Sequence, residues 1–169
     1  MARQLRLVVL LVVTVLLQVA VFPRFAVVDA APWVALVATA ALGYRSGPES
    51  GLLFGFAAGL AVDLFLETPL GLSALAYSIT GYVVGLVESG LIRASVWITP
   101  LIGGMAGLLG GAIYVTVGIL AGQDQLMTAR SLTIVFVSAL YDAVLSPLVF
   151  PFATWADSDP THAGTWRAR

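Results

Sequence analysis

Gly51-Leu52-Leu53-Phe54-Gly55-Phe56-Ala57-Ala58-Gly59-Leu60-Ala61-Val62-Asp63 sets three glycines and one carboxylate four residues apart in an otherwise apolar run. On an α-helix each step of four turns the position by about 40°, so these residues form one gently winding stripe. Glycines along a stripe let a neighbouring backbone come close, which is how helices associate where no water drives apolar surfaces together. The stretch predicts a membrane helix gripped along one face, with Asp63 at the end of the grip.

Composition agrees with a membrane setting. Of the 169 residues, 60% are hydrophobic and 10% charged, with a mean hydropathy of +1.00, more apolar surface than a water-soluble domain of this size needs. The charges are eight arginines and nine acids, with no lysine, and they fall mostly between the apolar runs. A net charge of −1 gives no basis for nucleic-acid binding. The lack of cysteine removes disulfides and thiolate chemistry, and the single histidine, His162, lies in a polar tail. A histidine or cysteine metal site and a catalytic triad are thereby excluded. No catalytic residue, metal or cofactor is predicted.

The predicted fold is an all-α integral membrane protein, a compact bundle of six transmembrane helices within residues 1–155. The helices are placed at about 5–22, 30–44, 48–66, 70–88, 96–121 and 131–154, and residues 156–169 form a polar, flexible cytoplasmic tail. A helix needs roughly 20 residues to cross about 30 Å of hydrocarbon, so the second and third segments are short. Asp29 with Pro32 resembles a capped start for the second helix, and Gly47-Pro48-Glu49-Ser50 opens the third. Trp33, Trp97 and Trp155 sit near span ends, where amphipathic rings settle at the interface.

With a cytoplasmic N-terminus, Arg3, Arg6, Arg45, Arg93, Arg167 and Arg169 lie inside, and Arg24 and Arg130 outside. This follows the positive-inside rule and puts both termini in the cytoplasm. A rival reading makes the first segment a signal peptide, since Arg3 and Arg6 precede an apolar core and Val28-Asp29-Ala30 resembles a cleavage site. Against it, the run from Leu7 to Phe22 is longer than a usual signal core.

Small-residue rows recur as Gly81, Gly85 and Ser89 in the fourth segment and as Gly103, Gly107 and Gly111 in the fifth. Together with Gly51, Gly55, Gly59, Asp63 and Gly71 they are the candidate helix-packing or partner-binding positions. For Asp63 two structural roles stay open beside partner contact and ion binding: accepting bonds from the backbone of the 67–71 turn, or pairing with Arg24 or Arg130. Asp142 falls near the centre of the last span, with Ser138 and Ser146 one turn to either side. It reads as a protonated carboxyl hydrogen-bonding among hydroxyls, or as part of a proton or cation relay with Asp63. Pro147 and Pro151 predict a bend near the end of this helix.

The pattern Gly55-Phe56-Ala57-Ala58-Gly59-Leu60-Ala61-Val62-Asp63-Leu64-Phe65, followed by Pro69-Leu70-Gly71, resembles the central signature of the MreD family of bacterial rod-shape membrane proteins. Leu17-Gln18, Phe22-Pro23 and Pro32-Trp33 agree with it, as do Asp142 and Pro147 in the last helix. The resemblance spans Leu5 to about Phe152. Two departures stand out: Asp142 occupies a place where the family more commonly has a neutral amide, and the tail lacks a basic cluster.

The resemblance implies a non-catalytic scaffold of the cell-elongation machinery in the bacterial cytoplasmic (inner) membrane, helping to organise peptidoglycan synthesis. The implied partners are MreC and a larger complex with MreB, RodA and a class B penicillin-binding transpeptidase. It also implies an architecture similar to the six-helix substrate-binding subunits of energy-coupling-factor transporters. A vitamin-type transporter subunit is the alternative function, although the first helix contains only Ala20 where those subunits carry an Ala-x-x-x-Ala docking face. An intramembrane enzyme would need Asp63 and Asp142 to meet.

Overall fold

Helix ends in this chain are set by glycines and buried polar groups as much as by loss of hydrophobicity. The computed structural model describes residues 2–25, 30–66, 69–87 and 98–157. Six α-helices follow in order: α1 (Ala2–Leu16), α2 (Val34–Ser46), α3 (Pro48–Asp63), α4 (Leu72–Val87), α5 (Ile98–Leu120) and α6 (Ala129–Asp157). A π-helical turn (Leu17–Val21) and a 3-10 turn (Phe22–Phe25) extend α1, and a further 3-10 turn (Asp124–Leu126) joins α5 to α6.

Arg3–Val21, Ile98–Leu120 and Ala129–Asp157 are long and apolar enough to cross a membrane unaided. The middle three are shorter than the sequence suggests. α2 has 13 residues, a rise of about 20 Å against the roughly 30 Å of a hydrocarbon core. It is hidden on every side, with all ten residues from Val34 to Gly43 buried, the mark of a helix at the centre of a bundle. Gly47, at φ 87°, ends α2 and is the single residue before Pro48 starts α3. That left-handed conformation suits glycine, and proline fits the first turn of the helix that follows.

The lipid-facing helices carry bulky side chains outward and small ones inward. α3 exposes Leu53 and Phe56 while burying Gly51, Gly55, Ala58 and Gly59. In lipid, large apolar residues lose nothing by facing out, and small ones allow helix contact. α3 and α4 accordingly run antiparallel in near backbone contact. A Cβ at Gly55 would fall 2.6 Å from the carbonyl oxygen of Tyr77, and one at Gly85 would fall 2.5 Å from the Cα of Pro48.

The free ends of α1, α2 and α6 come together. Arg3 donates to Asp157 Oδ1 from Nη2 (2.8 Å) and Nε (3.0 Å). Ser46 Oγ donates to Asp157 Oδ2 at 2.6 Å. Arg3, Arg6 and Arg45 are therefore at one end of the bundle, and Arg24 and Arg130 at the other. Asp157, assigned from sequence to the flexible tail, instead closes α6 and ties three helices together, with Ala156 beside it fully buried.

α6 also continues as one helix through Pro147 and Pro151. Proline at 147 leaves the Ala143 carbonyl without its usual amide donor. Ser146 Oγ replaces it, lying 2.8 Å from that oxygen and 2.9 Å from the Thr99 carbonyl. Asp29, Glu67, Ser89, Arg93, Trp97 and the tail from residue 158, with His162, Arg167 and Arg169, lie outside the described residues, as do two positions of the cleavage-like Val28-Asp29-Ala30.

Candidate functional site

The buried polar groups collect at one level of the bundle. Fifteen residues separate Arg3 from Gln18, Pro48 from Asp63, and Asp142 from Asp157, which is about 22 Å of helix in each case. Measured from the arginine-bearing end, Gln18, Asp63 and Asp142 thus share one depth. Asp63 is the last residue of α3, and Asp142 stands at the middle of α6, where the sequence reading puts it.

What they do at that depth is finish helices. Free N–H groups at the start of a helix need acceptors, and water cannot supply them inside lipid. Asp63 receives the first turn of α4: Oδ2 accepts from the N–H groups of Gly71 (2.9 Å), Ser73 (3.1 Å) and Ala74 (3.3 Å), and Oδ1 also accepts from Ser73 (3.1 Å). Of the two structural roles read from sequence, the backbone role is the one these bonds describe, carried past the turn into the helix itself. Gly71, grouped from sequence with the packing glycines, has φ 97° and nothing within 4 Å of where a Cβ would sit. It shapes the turn that presents these donors.

The start of α2 is served from a distance. Asp142 Oδ1 accepts from the Trp33 N–H at 2.7 Å, across 109 residues of sequence. Gln18, in the π-helical turn, accepts from the Ala35 N–H through Oε1 (3.0 Å) and donates from Nε2 to the Tyr77 hydroxyl (2.8 Å). One extra residue per turn turns this amide toward two neighbouring helices, a frequent use of π-turns. α2 begins at Val34, two residues past Pro32, and two N–H groups at its start go to α6 and α1; Asp29, the cap read from sequence, lies outside the described residues. A glutamine inside an otherwise apolar first helix was the available signal.

Asp142 is not held by its neighbouring hydroxyls. Ser146 turns to the Ala143 and Thr99 carbonyls. Ser138 Oγ and Asp142 Oδ2, both on fully buried residues, make no hydrogen bond among the described residues. No hydrogen bond among the described residues links Asp142 to Asp63, whose partners are different backbone groups.

The glycine rows bring these elements together. A Cβ on Gly59 would lie 2.5 Å from the Ala74 Cα and N, so the first turn of α4 reaches Asp63 only over a glycine. Gly51 and Gly81 face each other, and Thr39 of α2 lies against Gly55 and Gly81. On the other side Gly103, Gly107 and Gly111 face α6: a Cβ at 103 would meet Ser146 at 2.5 Å, one at 107 would meet Asp142 Oδ2 at 2.7 Å, and one at 111 would meet Val135 at 2.5 Å. Trp33, read from sequence as an interface residue, packs inward on Tyr114 with ring centroids 6.1 Å apart. Its place follows from the short α2, whose start lies within the bundle.

The arrangement is chemistry of position. Buried acceptors end short helices at one depth, and glycines let the helices close around them. A comparison with curated proteins and one with solved structures each return no match. The family model of the rod shape-determining protein MreD matches residues 1–155. That match takes in all six helices apart from the last two residues of α6, and with them the whole polar layer, so the chain belongs to the MreD family, membrane proteins of rod-shape determination.

Proposed function

We propose that this protein is a non-catalytic scaffold of the cell-elongation machinery, holding MreC and helping to organise peptidoglycan synthesis beside MreB, RodA and a class B penicillin-binding transpeptidase. The observation that carries the reading is the family match over residues 1–155. The internal polar groups support it, because Gln18 and Asp63 are committed to the chain's own helix ends, a use that stiffens a platform. The platform sits in the cytoplasmic membrane with both termini inside, the side on which Arg3, Arg6 and Arg45 gather.

Depletion in a rod-shaped host is expected to widen or round the cells, and affinity capture of the intact chain from native membranes is expected to recover MreC. Normal cell shape with a defect in small-molecule uptake would move the protein to the transporter class. For orientation, the cysteine-free background permits a direct reading. In intact cells an impermeant thiol reagent should label Asp124→Cys and spare Glu49→Cys, and the opposite pattern would invert the topology.

A further inference from the structure

A seam runs between α1 and α6. It opens into a cleft of about 360 Å³ lined by residues that include Val9, Val13 and Leu17 on one wall and Leu148, Phe152 and Trp155 on the other. The wall residues are substantially exposed, Leu148 at 63% and Phe152 at 57%, so in a bilayer the cleft opens sideways to lipid. Along α6 it runs from Leu145 to Trp155, and on the other side from Val9 of α1 to Phe22, with Val34 of α2, about 15 to 20 Å at 1.5 Å per residue. That is half to two-thirds of the roughly 30 Å hydrocarbon core, a little more than the depth of one leaflet.

One end of the cleft reaches Phe22 and Val34, just past the level of Gln18. At the other end the Arg6 guanidinium stands over the Trp155 ring, 5.4 Å from its centroid. An apolar slot about one leaflet deep, with a cation and an indole at its headgroup end, has the chemistry of an anionic lipid. Basic pockets between transmembrane helices bind anionic headgroups in this way.

A partner helix suits the cleft less well on two counts. A spanning helix needs about 20 residues and the full core thickness. Close helix contact also needs small residues, and apart from Thr14 this lining is Val, Leu, Phe and Trp, unlike the glycine rows elsewhere. We propose that the α1–α6 cleft binds one acyl chain of an anionic phospholipid, with its phosphate at Arg6. The inference stands apart from the scaffold reading, since it concerns lipid selection by this chain alone.

The test uses the full-length protein in nanodiscs of equimolar phosphatidylglycerol and phosphatidylethanolamine, each in turn carrying a photoreactive acyl chain, with cross-linked peptides identified by mass spectrometry. Cross-links from phosphatidylglycerol should concentrate on 9–17 and 145–155 and exceed those from phosphatidylethanolamine about fivefold there, the factor given by one arginine near an anionic surface. Arg6→Gln should bring the two lipids to parity while leaving the apolar cross-links in place. Val13→Trp should empty the cleft of label, and Leu148→Trp on the facing wall serves if Val13→Trp lowers the folded yield. Equal labelling by both lipids in the unaltered protein, label spread evenly onto faces such as Leu53 and Leu86, or cleft labelling that survives the tryptophan variants would each overturn the proposal.

Discussion

Asp63 and Asp142 are buried at 1% and 0% exposure and lie at the same depth, yet they hold their helices differently. Asp63 works locally: it ends α3 and, within 11 residues, takes three N–H groups of the turn and first turn of α4. Both its oxygens are used. Asp142 works across 109 residues, taking one N–H of the α2 start through Oδ1, while Oδ2 makes no hydrogen bond among the described residues. The local acid welds a hairpin that α3 and α4 could form between themselves. The distant one fixes where an already formed helix sits against α6, and shares that task with Gln18 of α1. A buried carboxylate can therefore define secondary structure or tertiary placement, and the number of donors it satisfies tells which.

Removal of the local acid is the strongest test of this difference. Asp63→Ala strips the acceptor from three buried or half-buried donors, each costing about 1–3 kcal/mol when left unpaired. A loss of several kcal/mol is expected, visible as a large fall in the apparent melting temperature of the detergent-purified protein. A loss equal to that of Asp142→Ala would erase the distinction between the two acids.

The glycines beside each acid give a second, smaller contrast. Gly59→Ala drives a methyl into the backbone of Ala74 at 2.5 Å, with an expected cost of about 1–3 kcal/mol. Gly107→Ala drives one toward the end of the Asp142 side chain at 2.7 Å and the Ala139 Cα at 2.8 Å. Part of its cost is the displaced carboxylate. The double variant Gly107→Ala/Asp142→Ala should therefore lose less than the sum of its parts, whereas Gly59→Ala/Asp142→Ala should add. Additivity in both pairs would detach Gly107 from the acid it adjoins.

The local half of this scheme was legible in the sequence and the distant half was not. Four-residue spacing from Gly51 to Asp63 marked a gripped face, and the turn after Asp63 was near enough to be named as its hydrogen-bond partner. Periodicity reports only neighbours along one helix. It carries no information on which helix α6 meets 109 residues away, so the sequence offers Asp142 only the hydroxyls of its own face or a relay with Asp63, and not the Trp33 N–H. The second segment reads as short in the sequence too, but hydropathy marks only where apolar sequence ends, whereas this helix starts at Val34, where its acceptors stand. Ser146 shows a finer limit, since its hydroxyl answers to the carbonyl that Pro147 leaves free, a debt visible only when the helix is known to continue.

Asp142→Ala orphans a single N–H, that of Trp33, and should cost about 1–3 kcal/mol, less than Asp63→Ala. It should also loosen the seat of Trp33 against Tyr114, so the near-ultraviolet circular dichroism of the aromatic side chains is expected to change along with stability.

The amide variants make the finest division. Asparagine keeps one carbonyl oxygen and replaces the other with a donor. At position 142 the retained oxygen can still accept from Trp33, and the new NH2 takes the place of an oxygen with no hydrogen bond among the described residues. Asp142→Asn is thus expected to cost less than Asp142→Ala. At position 63 both oxygens already accept, so either orientation of the amide turns a donor toward backbone donors. Asp63→Asn should therefore cost about 1–3 kcal/mol. Paired thermal unfolding of the two variants measures the difference directly. A tolerant position 142 and an intolerant position 63 would mean that Asp142 serves as one acceptor and no more. Destabilisation at 142 comparable to that of its alanine variant would mean that the second oxygen carries an interaction of its own, and the two acids would then differ in reach but not in number of bonds.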